Sequence, residues 1–417
     1  MNQHTPVTLR LANFRVSIDE ERSLETLVSA RLRVNRSQLG KVAILRKALD
    51  ARREGNISFV YTIELEALEA TDKWLKTWTA DKHVTQVEPD LIPALQPGGR
   101  PLSERPIVVG FGPAGMFAAL TLARYGYKPL VLERGPDVEA RQLAVRKFWE
   151  QGVLDETANV QFGEGGAGTF SDGKLTTRVH DRLMAEALNI MVEAGAPPEI
   201  RYWYKPHIGT DRLRQVVRNI RRQIEMLGGE VRFRRQVTDF QVEQGVLVGL
   251  TVNGSEKLSC SAVLLGIGHS ARDTYQSLLH CGTAMEAKPF SIGVRIEHPQ
   301  ELIDRAQYGG AAGHPRLGAA DYALVYHDRD TGRTAYSFCM CPGGVVIGAA
   351  SEAGGVVVNG MSHYSRSSGS ANSALAVNVT PEDFGDGVLP GVDFQRRYEK
   401  MAFELGGRSY FAPVQTV

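Results

Sequence analysis

The chain has 417 residues, of which 43% are hydrophobic, and its 48 Lys and Arg residues balance 47 Asp and Glu residues. A formal net charge of +1 argues against a protein whose main task is to bind nucleic acid or a membrane surface. No apolar run reaches the roughly 18–20 residues of a membrane span, and the first residues lack the features of a signal peptide. Because domains usually have about 100–200 residues, we expect two or three domains and no membrane insertion.

The numbers of cysteines and glycines further restrict the classes of protein that fit this composition. Four cysteines (Cys260, Cys281, Cys339 and Cys341) are too few for a disulfide scaffold of this size, which favours a reducing, cytoplasmic location. The 43 glycines exceed the average usage of roughly 7% and cluster between apolar runs. Because glycine lets the backbone approach a bulky group closely, we expect an α/β protein that holds a ligand.

Residues 1–92 are predicted to form a ferredoxin-like α+β domain in the order β-α-β-β-α-β. Ser23 is expected to cap the first helix, because its hydroxyl can accept a backbone N–H. Prolines and glycines in residues 93–105 predict a linker. The predicted strands lie at 7–16, 41–48, 57–66 and 84–88, and the second helix lies at 71–79.

The strongest motif follows a short apolar strand at residues 107–109. Gly110, Gly112 and Gly115 give the pattern G-x-G-x-x-G, and a helix with periodic apolar residues follows. In dinucleotide-binding folds these glycines permit a tight turn, close approach of the backbone to a pyrophosphate, and close helix–strand packing. The helix N-terminus supplies N–H donors for phosphate oxygens.

A second predicted strand at 129–132 ends at Glu133, which is 133 − 110 = 23 residues after Gly110. This separation is close to the roughly 20 residues expected for the acid that binds ribose. An acid here disfavours a 2′-phosphate, so the expected dinucleotide is FAD or NAD. The alternative is an ordinary glycine-rich connection with Glu133 paired to Arg134; the agreement of strand, helix and acid disfavours it.

A second segment, 163–168, has the same spacing of glycines but lacks a preceding strand and a following helix. We therefore expect a loop that contacts the ligand and not a second Rossmann site. Its glycines expose N–H groups, and Thr169, Ser171 and Lys174 can donate to oxygens or ring nitrogens.

Further along, a helix at 211–227 is predicted with Thr210 as its cap. Residues 288–379 alternate short strands with glycine-rich turns, which predicts a separate β-rich domain. The strands between them are predicted at 230–234, 236–242, 246–252 and 262–265.

Together these motifs resemble those of a known family, the bacterial FAD-dependent dehydrogenases. These proteins are also described as NAD(FAD)-utilising dehydrogenases of uncertain physiological role. The resemblance covers nearly the whole chain and implies a glutathione-reductase-like, Rossmann-type FAD domain over 106–287 and a β-rich substrate or cap domain over 288–417. The segments that carry it are 110–135, 162–178, 205–221, 266–275 and 361–375.

The resemblance also implies positions for the cofactor. The adenosine end would lie at the first glycine motif and Glu133, the loop 165–174 would follow the pyrophosphate and isoalloxazine, and Val237 would contact adenine through its backbone. The residues expected to bind the cofactor are Gly110, Gly112, Pro113, Ala114, Gly115, Glu133, Arg134, Gly165, Gly166, Thr169, Ser171, Gly173, Val237, Gly266, Gly268 and His269.

One departure from the family concerns the end of the chain. Such flavoproteins finish with a glycine-rich segment whose acidic residue contacts the ribityl chain and flavin. This chain stops at Val417 without such a segment. We therefore expect a β-rich domain that is incomplete because of C-terminal truncation.

Asp172 and Lys174 are the catalytic candidates, because a glycine-rich loop has little other reason to carry charge into a ligand site. Lys174 would stabilise a reduced, anionic flavin. His207 could act as an acid or base, although a structural hydrogen bond is at least as good an explanation. Cys339 and Cys341 could approach a flavin; C-x-C is short for an unstrained disulfide, so a buried structural role is favoured. No metal-ligand spacing is present.

These features predict an FAD-dependent oxidoreductase that transfers hydride through flavin N5 between NAD(P)H, or a reduced substrate, and a small-molecule acceptor. NAD(P)H would bind transiently against the β-rich domain, since no second fingerprint exists. Alternatives are a single-site NAD dehydrogenase, disfavoured by the long insertion after Glu133, and a non-catalytic or tRNA-associated flavoprotein. Only a basic stretch at 212–235 favours RNA, and it lacks interleaved aromatic residues. The sequence does not determine the oligomeric state.

Overall fold

The structure is a computed structural model that describes residues 7–53, 55–68, 71–88, 96, 98–99, 101–177 and 181–416. Five positions of the predicted linker, residues 93–95, 97 and 100, lie outside the described residues, as does residue 178 at the end of the second family-like segment. Within the described ranges, no helix is both long enough and apolar enough to cross a membrane.

The first unit is a four-stranded antiparallel sheet with two helices, in the element order expected from the sequence. Its strands pair in the order β2-β3-β1-β4. The Ser23 hydroxyl accepts the Thr26 N–H at 3.3 Å, which confirms the predicted cap of the first helix. The elements are β1 (Val7–Ser17), α1 (Leu24–Leu32), β2 (Leu39–Asp50), β3 (Ser58–Ala67), α2 (Asp72–Thr79) and β4 (Val84–Gln86).

The second unit contains a parallel sheet in the order β11-β5-β6-β7 and an antiparallel sheet in the order β10-β9-β8. Its elements are β5 (Ile107–Val109), α3 (Pro113–Arg124), β6 (Leu130–Leu132), α4 (Val138–Gln151), α5 (Leu183–Glu193), α6 (Thr210–Met226), β7 (Glu230–Arg232), β8 (Val237–Glu243), β9 (Val246–Val252), β10 (Glu256–Ser259), β11 (Val263–Leu265) and α7 (Arg272–His280).

Successive side chains of the short parallel strands pack into two different apolar cores, one on each face of the sheet. Val108 and Val131 belong to the core shared with α3 and α6, whereas Ile107 and Leu132 belong to the core shared with the antiparallel sheet. Successive side chains of a strand point to opposite faces, so both faces of this sheet are covered. The arrangement leaves the carboxyl ends of β5, β6 and β11 at one edge, where ligands of open α/β sheets bind.

The third unit is built on an antiparallel sheet in the order β12-β17-β14-β13, with β15 and β16 as a separate hairpin. The register of β14 against β17 shifts between Phe338 and Cys341. The elements are β12 (Phe290–Pro299), α8 (Gln300–Tyr308), β13 (Val325–His327), β14 (Thr334–Cys341), β15 (Gly344–Gly348), β16 (Val358–Ser362), β17 (Ser370–Val379), α9 (Pro381–Phe384) and α10 (Pro390–Leu405).

One predicted helix cap is wrong. Gly209, with φ +78°, occupies the N-cap of α6, and Thr210 is the first helical residue. The Thr210 hydroxyl donates to the Thr169 carbonyl oxygen at 2.7 Å, so it joins the helix to the preceding glycine-rich loop. The sequence rule failed because a tertiary acceptor competes for this hydroxyl. The predicted strands at 84–88 and 230–234 end earlier, at Gln86 and Arg232.

Candidate functional site

A cleft of about 470 Å³ lies at the carboxyl edge of the parallel sheet. The first glycine motif, the loop 166–168, the start of β8 and the segment after β11 form its walls. Its volume is within the roughly 300–1,000 Å³ of small-molecule and cofactor sites. Of the residues expected to bind the cofactor, the following line it: Gly110, Gly112, Pro113, Ala114, Glu133, Arg134, Gly166, Val237, Gly266, Gly268 and His269.

Three glycines let β5, α3 and β11 approach one another closely at the base of this cleft. Gly110 has φ +92°, and a Cβ there would lie 2.5 Å from the Gly266 carbonyl oxygen. A Cβ at Gly115 would lie 1.9 Å from the Gly110 carbonyl oxygen. Gly115 does not line the cleft; it serves the helix–strand packing that the fingerprint assigns to the third glycine.

Gly112 differs from its two neighbours in the motif. A Cβ at this position would meet only the Gly166 Cα, at an ordinary 3.7 Å. The protein itself therefore has room for a side chain here, although the position is the N-cap of α3 and faces the cleft. The N–H groups of the first helical turn have no acceptor within the helix.

Glu133 has its carboxylate held in place by backbone N–H groups. Its Oε2 accepts the Phe111 N–H at 2.7 Å, and its Oε1 accepts those of Gly135 and Gly163 at 2.9 Å each. The side chain is buried and joins the first glycine motif to the second glycine-rich segment. A carboxylate accepts about four hydrogen bonds, so capacity for a ligand hydroxyl remains. Pairing of this carboxylate to Arg134 does not occur; Arg134 pairs with Asp273 at 2.9 Å.

Sequence reasoning missed Arg141, which organises the second glycine-rich segment. Its side chain is 0% exposed and donates to the carbonyl oxygens of Asn159, Val160, Gly163 and Glu164 at 2.7–3.3 Å. Burial lowers the pKa of Arg141 to about 10, against the opposing effect of two nearby glutamates. Nothing in the local pattern of α4 distinguishes this arginine from a surface residue.

Five residues that were expected to bind the cofactor do not line the cleft. Four of them belong to the second glycine-rich segment and the loop that continues from it. Thr169 is fully buried, and its hydroxyl donates to the Glu164 carbonyl oxygen at 3.2 Å. The Ser171 hydroxyl donates to the Gly168 carbonyl oxygen at 2.8 Å. Both hydroxyls are used inside the loop, because its turns leave carbonyls without partners. The five are Gly115, Gly165, Thr169, Ser171 and Gly173.

The catalytic candidates Asp172 and Lys174 lie outside the cleft, where the loop meets the third unit. The Asp172 carboxylate accepts hydrogen bonds from Arg366 and from the Ser362 hydroxyl, and lies 3.7 Å from the Lys174 ammonium. Burial alone would raise the pKa of Asp172, but Arg366 and Lys174 outweigh it, so the pKa is lowered. Arg366 thus gives the Asp172 charge a structural role, and the assignment of Asp172 and Lys174 as catalytic residues stays a prediction.

His207 joins the same group of residues. Residues 174 and 207 form an isolated antiparallel bridge, and the His207 ring nitrogen Nε2 lies 3.0 Å from the Tyr364 carbonyl oxygen. Burial and the nearby Arg366 lower the pKa of His207, so a neutral ring is favoured at pH 7. The structure thus gives this histidine the hydrogen-bonding role that was one of its two interpretations.

The basic stretch at 212–235 is largely engaged within the protein. Arg221 pairs with the buried Glu164 at 2.7 Å, Arg218 pairs with Glu139, and Arg232 pairs with Glu230 at 2.7 Å. Arg235 lies 3.6 Å from Glu256 and also lines the cleft, which sequence reasoning did not foresee. Among the side chains that the structure covers, no group of three or more His, Cys, Asp or Glu is placed to hold a metal.

A comparison with curated proteins gives a relative over almost the whole chain. An "Uncharacterized protein" of Clostridium beijerinckii is 48% identical over 413 residues, which are 99% of this chain and 77% of that protein. The chain belongs to the same family as this clostridial protein. The expectation of a missing C-terminal segment is not tested by this match and stays a prediction.

Two family models match parts of the chain. Residues 289–417 match "FAD-dependent protein, C-terminal domain-like", and residues 8–66 match a domain of unknown function, DUF8436. The first match covers the β-rich third unit, so this unit is similar to a C-terminal domain of FAD-dependent proteins.

Solved structures with partial likeness include THI4 of Thermovibrio ammonificans, at 18% identity and a TM-score of 0.29, covering 44% of this chain and 66% of that one. Tetracycline destructase Tet(51) has 11% identity and a TM-score of 0.32, covering 73% and 64%. Halogenase PltM has 10% identity and a TM-score of 0.33, covering 71% and 55%. Scores at this level establish no shared function.

Proposed function

We propose that the chain is an FAD-dependent oxidoreductase whose cofactor binds in the cleft between the two glycine-rich segments. The observation that carries this proposal is the close approach of Gly112 and Gly166 at the N-terminus of α3, in a cleft that Glu133 also lines. A Cβ at Gly166 would lie 2.9 Å from the Gly112 Cα, so position 166 needs glycine for the two segments to approach this closely. The match of residues 289–417 to a domain of FAD-dependent proteins supports FAD over NAD.

The residues present fit a dinucleotide. The first-turn N–H group at Ala114 would bind the pyrophosphate, and the remaining acceptor capacity of Glu133 would bind a ribose hydroxyl. Val237 would contact the adenine from the start of β8, and His269 would close the cleft after β11. FAD, when bound, supplies two-electron chemistry at its ring. The chain would position it and exclude water.

The first test is the visible absorption spectrum of the purified protein, followed by titration of flavin-free protein with FAD. We expect bound flavin in the wild type and its loss in Gly112→Val, because the new side chain lies at the cleft wall and its Cβ meets the protein only at an ordinary 3.7 Å from the Gly166 Cα. Gly310→Val is the matched control, since nothing lies within 4 Å of a Cβ there. A colourless wild type that binds NAD, or a Gly112→Val variant with full flavin content, would overturn the proposal.

The finer part of the proposal is that NAD(P)H, or another reduced small molecule, delivers hydride to be passed to a small-molecule acceptor. Stopped-flow mixing of the FAD-loaded protein with NADH or NADPH tests it by the loss of oxidised-flavin absorbance. Absence of bleaching with both would remove NAD(P)H from the proposal. Flavin retention would still support cofactor binding, so the two parts are separable.

A further inference from the structure

Cys339 and Cys341 lie at an irregular point of β14, beside the charged end of the glycine-rich loop. The register of β14 against β17 shifts here, and Cys339 has φ +46°. Few residues other than glycine adopt this left-handed conformation. Bulges and strained backbone of this kind concentrate at functional sites.

The two thiols have different surroundings. Cys341 is 0% exposed, and its thiol donates to the Cys339 carbonyl oxygen at 3.4 Å. Cys339 is partly exposed, next to the exposed Phe338. A Cβ at Gly360 would lie 2.7 Å from the Cys341 sulfur, so glycine leaves the space that this sulfur occupies. One thiol is therefore accessible and the other is enclosed beside it.

Charged groups on the glycine-rich loop and on β12 act on the outer thiol. The neighbouring Cys341 side chain lowers the pKa of Cys339 most; Lys174 and Arg295 lower it further, while burial and Asp172 oppose them, and the result is about 6. The neighbouring Cys339 side chain, together with burial, raises the pKa of Cys341. These directions favour the thiolate at Cys339 and the thiol at Cys341.

We propose that Cys339 and Cys341 form a redox-active dithiol that reduces a small-molecule disulfide. The Cys339 thiolate attacks one sulfur of the disulfide, whose S–S bond breaks and releases one thiolate. Cys341 then loses its proton to that released thiolate and attacks the Cys339 sulfur, which forms the internal disulfide and releases the second thiolate. Two electrons pass from the cysteine sulfurs to the substrate sulfurs, and a small thiol restores the dithiol by the reverse exchange.

The geometry of a C-x-C pair suits this role. Two residue steps of about 3.3 Å place the Cα atoms at most about 6.6 Å apart, within the roughly 4.4–6.8 Å that disulfides span. A disulfide at the upper end of this range is strained, and strained disulfides are the easily reduced ones. Lys174 acts here as a positioning residue, because its ammonium stabilises the thiolate.

The test uses the full-length protein and glutathione disulfide as the probe. Both cysteines lie in one tryptic peptide, residues 334–366, so the internal disulfide lowers the mass of that peptide by two hydrogens. We expect this loss, and its reversal by reduced glutathione, in the wild type and in the control Cys281→Ser. Alkylation of Cys339 by iodoacetamide should have a midpoint near pH 6 in the wild type and a higher midpoint in Lys174→Gln.

Two results would overturn the proposal. One is a glutathione adduct that persists on Cys339, because Cys341 would then fail to displace it. The other is a peptide that stays fully reduced while Cys281 reacts. An unchanged alkylation midpoint in Lys174→Gln would remove Lys174 from the mechanism. All of these readouts are independent of flavin content.

Discussion

Arg366 donates two hydrogen bonds to Asp172, from Nη2 to Oδ2 at 2.5 Å and from Nε to Oδ1 at 3.2 Å, across 194 residues of chain. The Asp172 side chain is 1% exposed, and the Arg366 side chain is 15% exposed. The pair joins the loop that leaves the candidate cofactor cleft to the segment between β16 and β17. It therefore couples the candidate cofactor site to the β-rich unit.

Removing the arginine should leave a buried carboxylate whose nearest remaining positive charge is the Lys174 ammonium at 3.7 Å. We expect Arg366→Ala to lower the free energy of unfolding by about 3–5 kcal/mol, the usual cost of breaking a buried ion pair. Arg305→Ala is the control, because its pair with Glu301 is exposed on both sides, and such pairs contribute about 0–1 kcal/mol. Urea unfolding measures both, and equal effects would contradict the importance of the buried pair.

The Asp172–Arg366 pair should also make the free energy of unfolding depend on pH in the acidic range. The folded-state pKa of Asp172 is lowered, so its contribution is complete above the unfolded-state value of about 3.9 and is lost as pH falls through the folded-state pKa. We expect the free energy of unfolding to fall less steeply below about pH 4 in Asp172→Asn than in the wild type. Identical slopes in urea titrations across this range would show that Asp172 is not responsible.

Alanine substitution should destabilise the protein at the outer glycine positions of the fingerprint, Gly110 and Gly115, but not at the middle position, Gly112. Gly115→Ala places a Cβ 1.9 Å from a backbone oxygen, so we expect loss of soluble folded protein or a marked fall in melting temperature. Gly112→Ala should keep the wild-type melting temperature of flavin-free protein, because its Cβ has room. Differential scanning fluorimetry distinguishes them, and a similar loss in both would contradict the packing described for Gly112.

Glu133 is expected to stabilise the fold as well as to bind ribose. Glu133→Gln replaces one acceptor oxygen by an NH₂ group and opposes at least one of the three backbone N–H donors. We expect a loss of about 1–3 kcal/mol from the free energy of unfolding of flavin-free protein. Glu150→Gln, at an exposed position of α4, is the control. Unchanged stability with weakened FAD binding would assign Glu133 to the ligand alone.

Arg141 offers a test of how the second glycine-rich segment is held. Arg141→Met removes the hydrogen bonds to four carbonyl oxygens, and we expect destabilisation by several kcal/mol together with loss of flavin. Arg146→Met, on an exposed face of the same helix, should behave as the wild type. Faster proteolysis within residues 152–165 would report the loosened segment, and wild-type protection there would contradict this role.

Sequence reasoning alone was enough to recognise the strand–glycine–helix motif, the acid at Glu133 and the order of elements in the first unit. These features are local: a turn that needs glycine, a helix cap such as Ser23, and apolar periodicity act within a few residues. The short parallel strands were also recognisable, because strands covered on both faces are almost continuously apolar.

Which residues of the second glycine-rich segment face the cleft depends on contacts that form in the folded chain. Thr169 and Ser171 satisfy carbonyls inside the loop, and Arg141 holds that loop from a helix some twenty residues earlier. Arg366, the partner of Asp172, lies 194 residues away along the chain, and Lys174, which acts on Cys339, lies 339 − 174 = 165 residues before it. Hydrogen bonds and ion pairs between residues so far apart produce no recognisable residue spacing in the sequence, because the distance between their atoms is set by the fold.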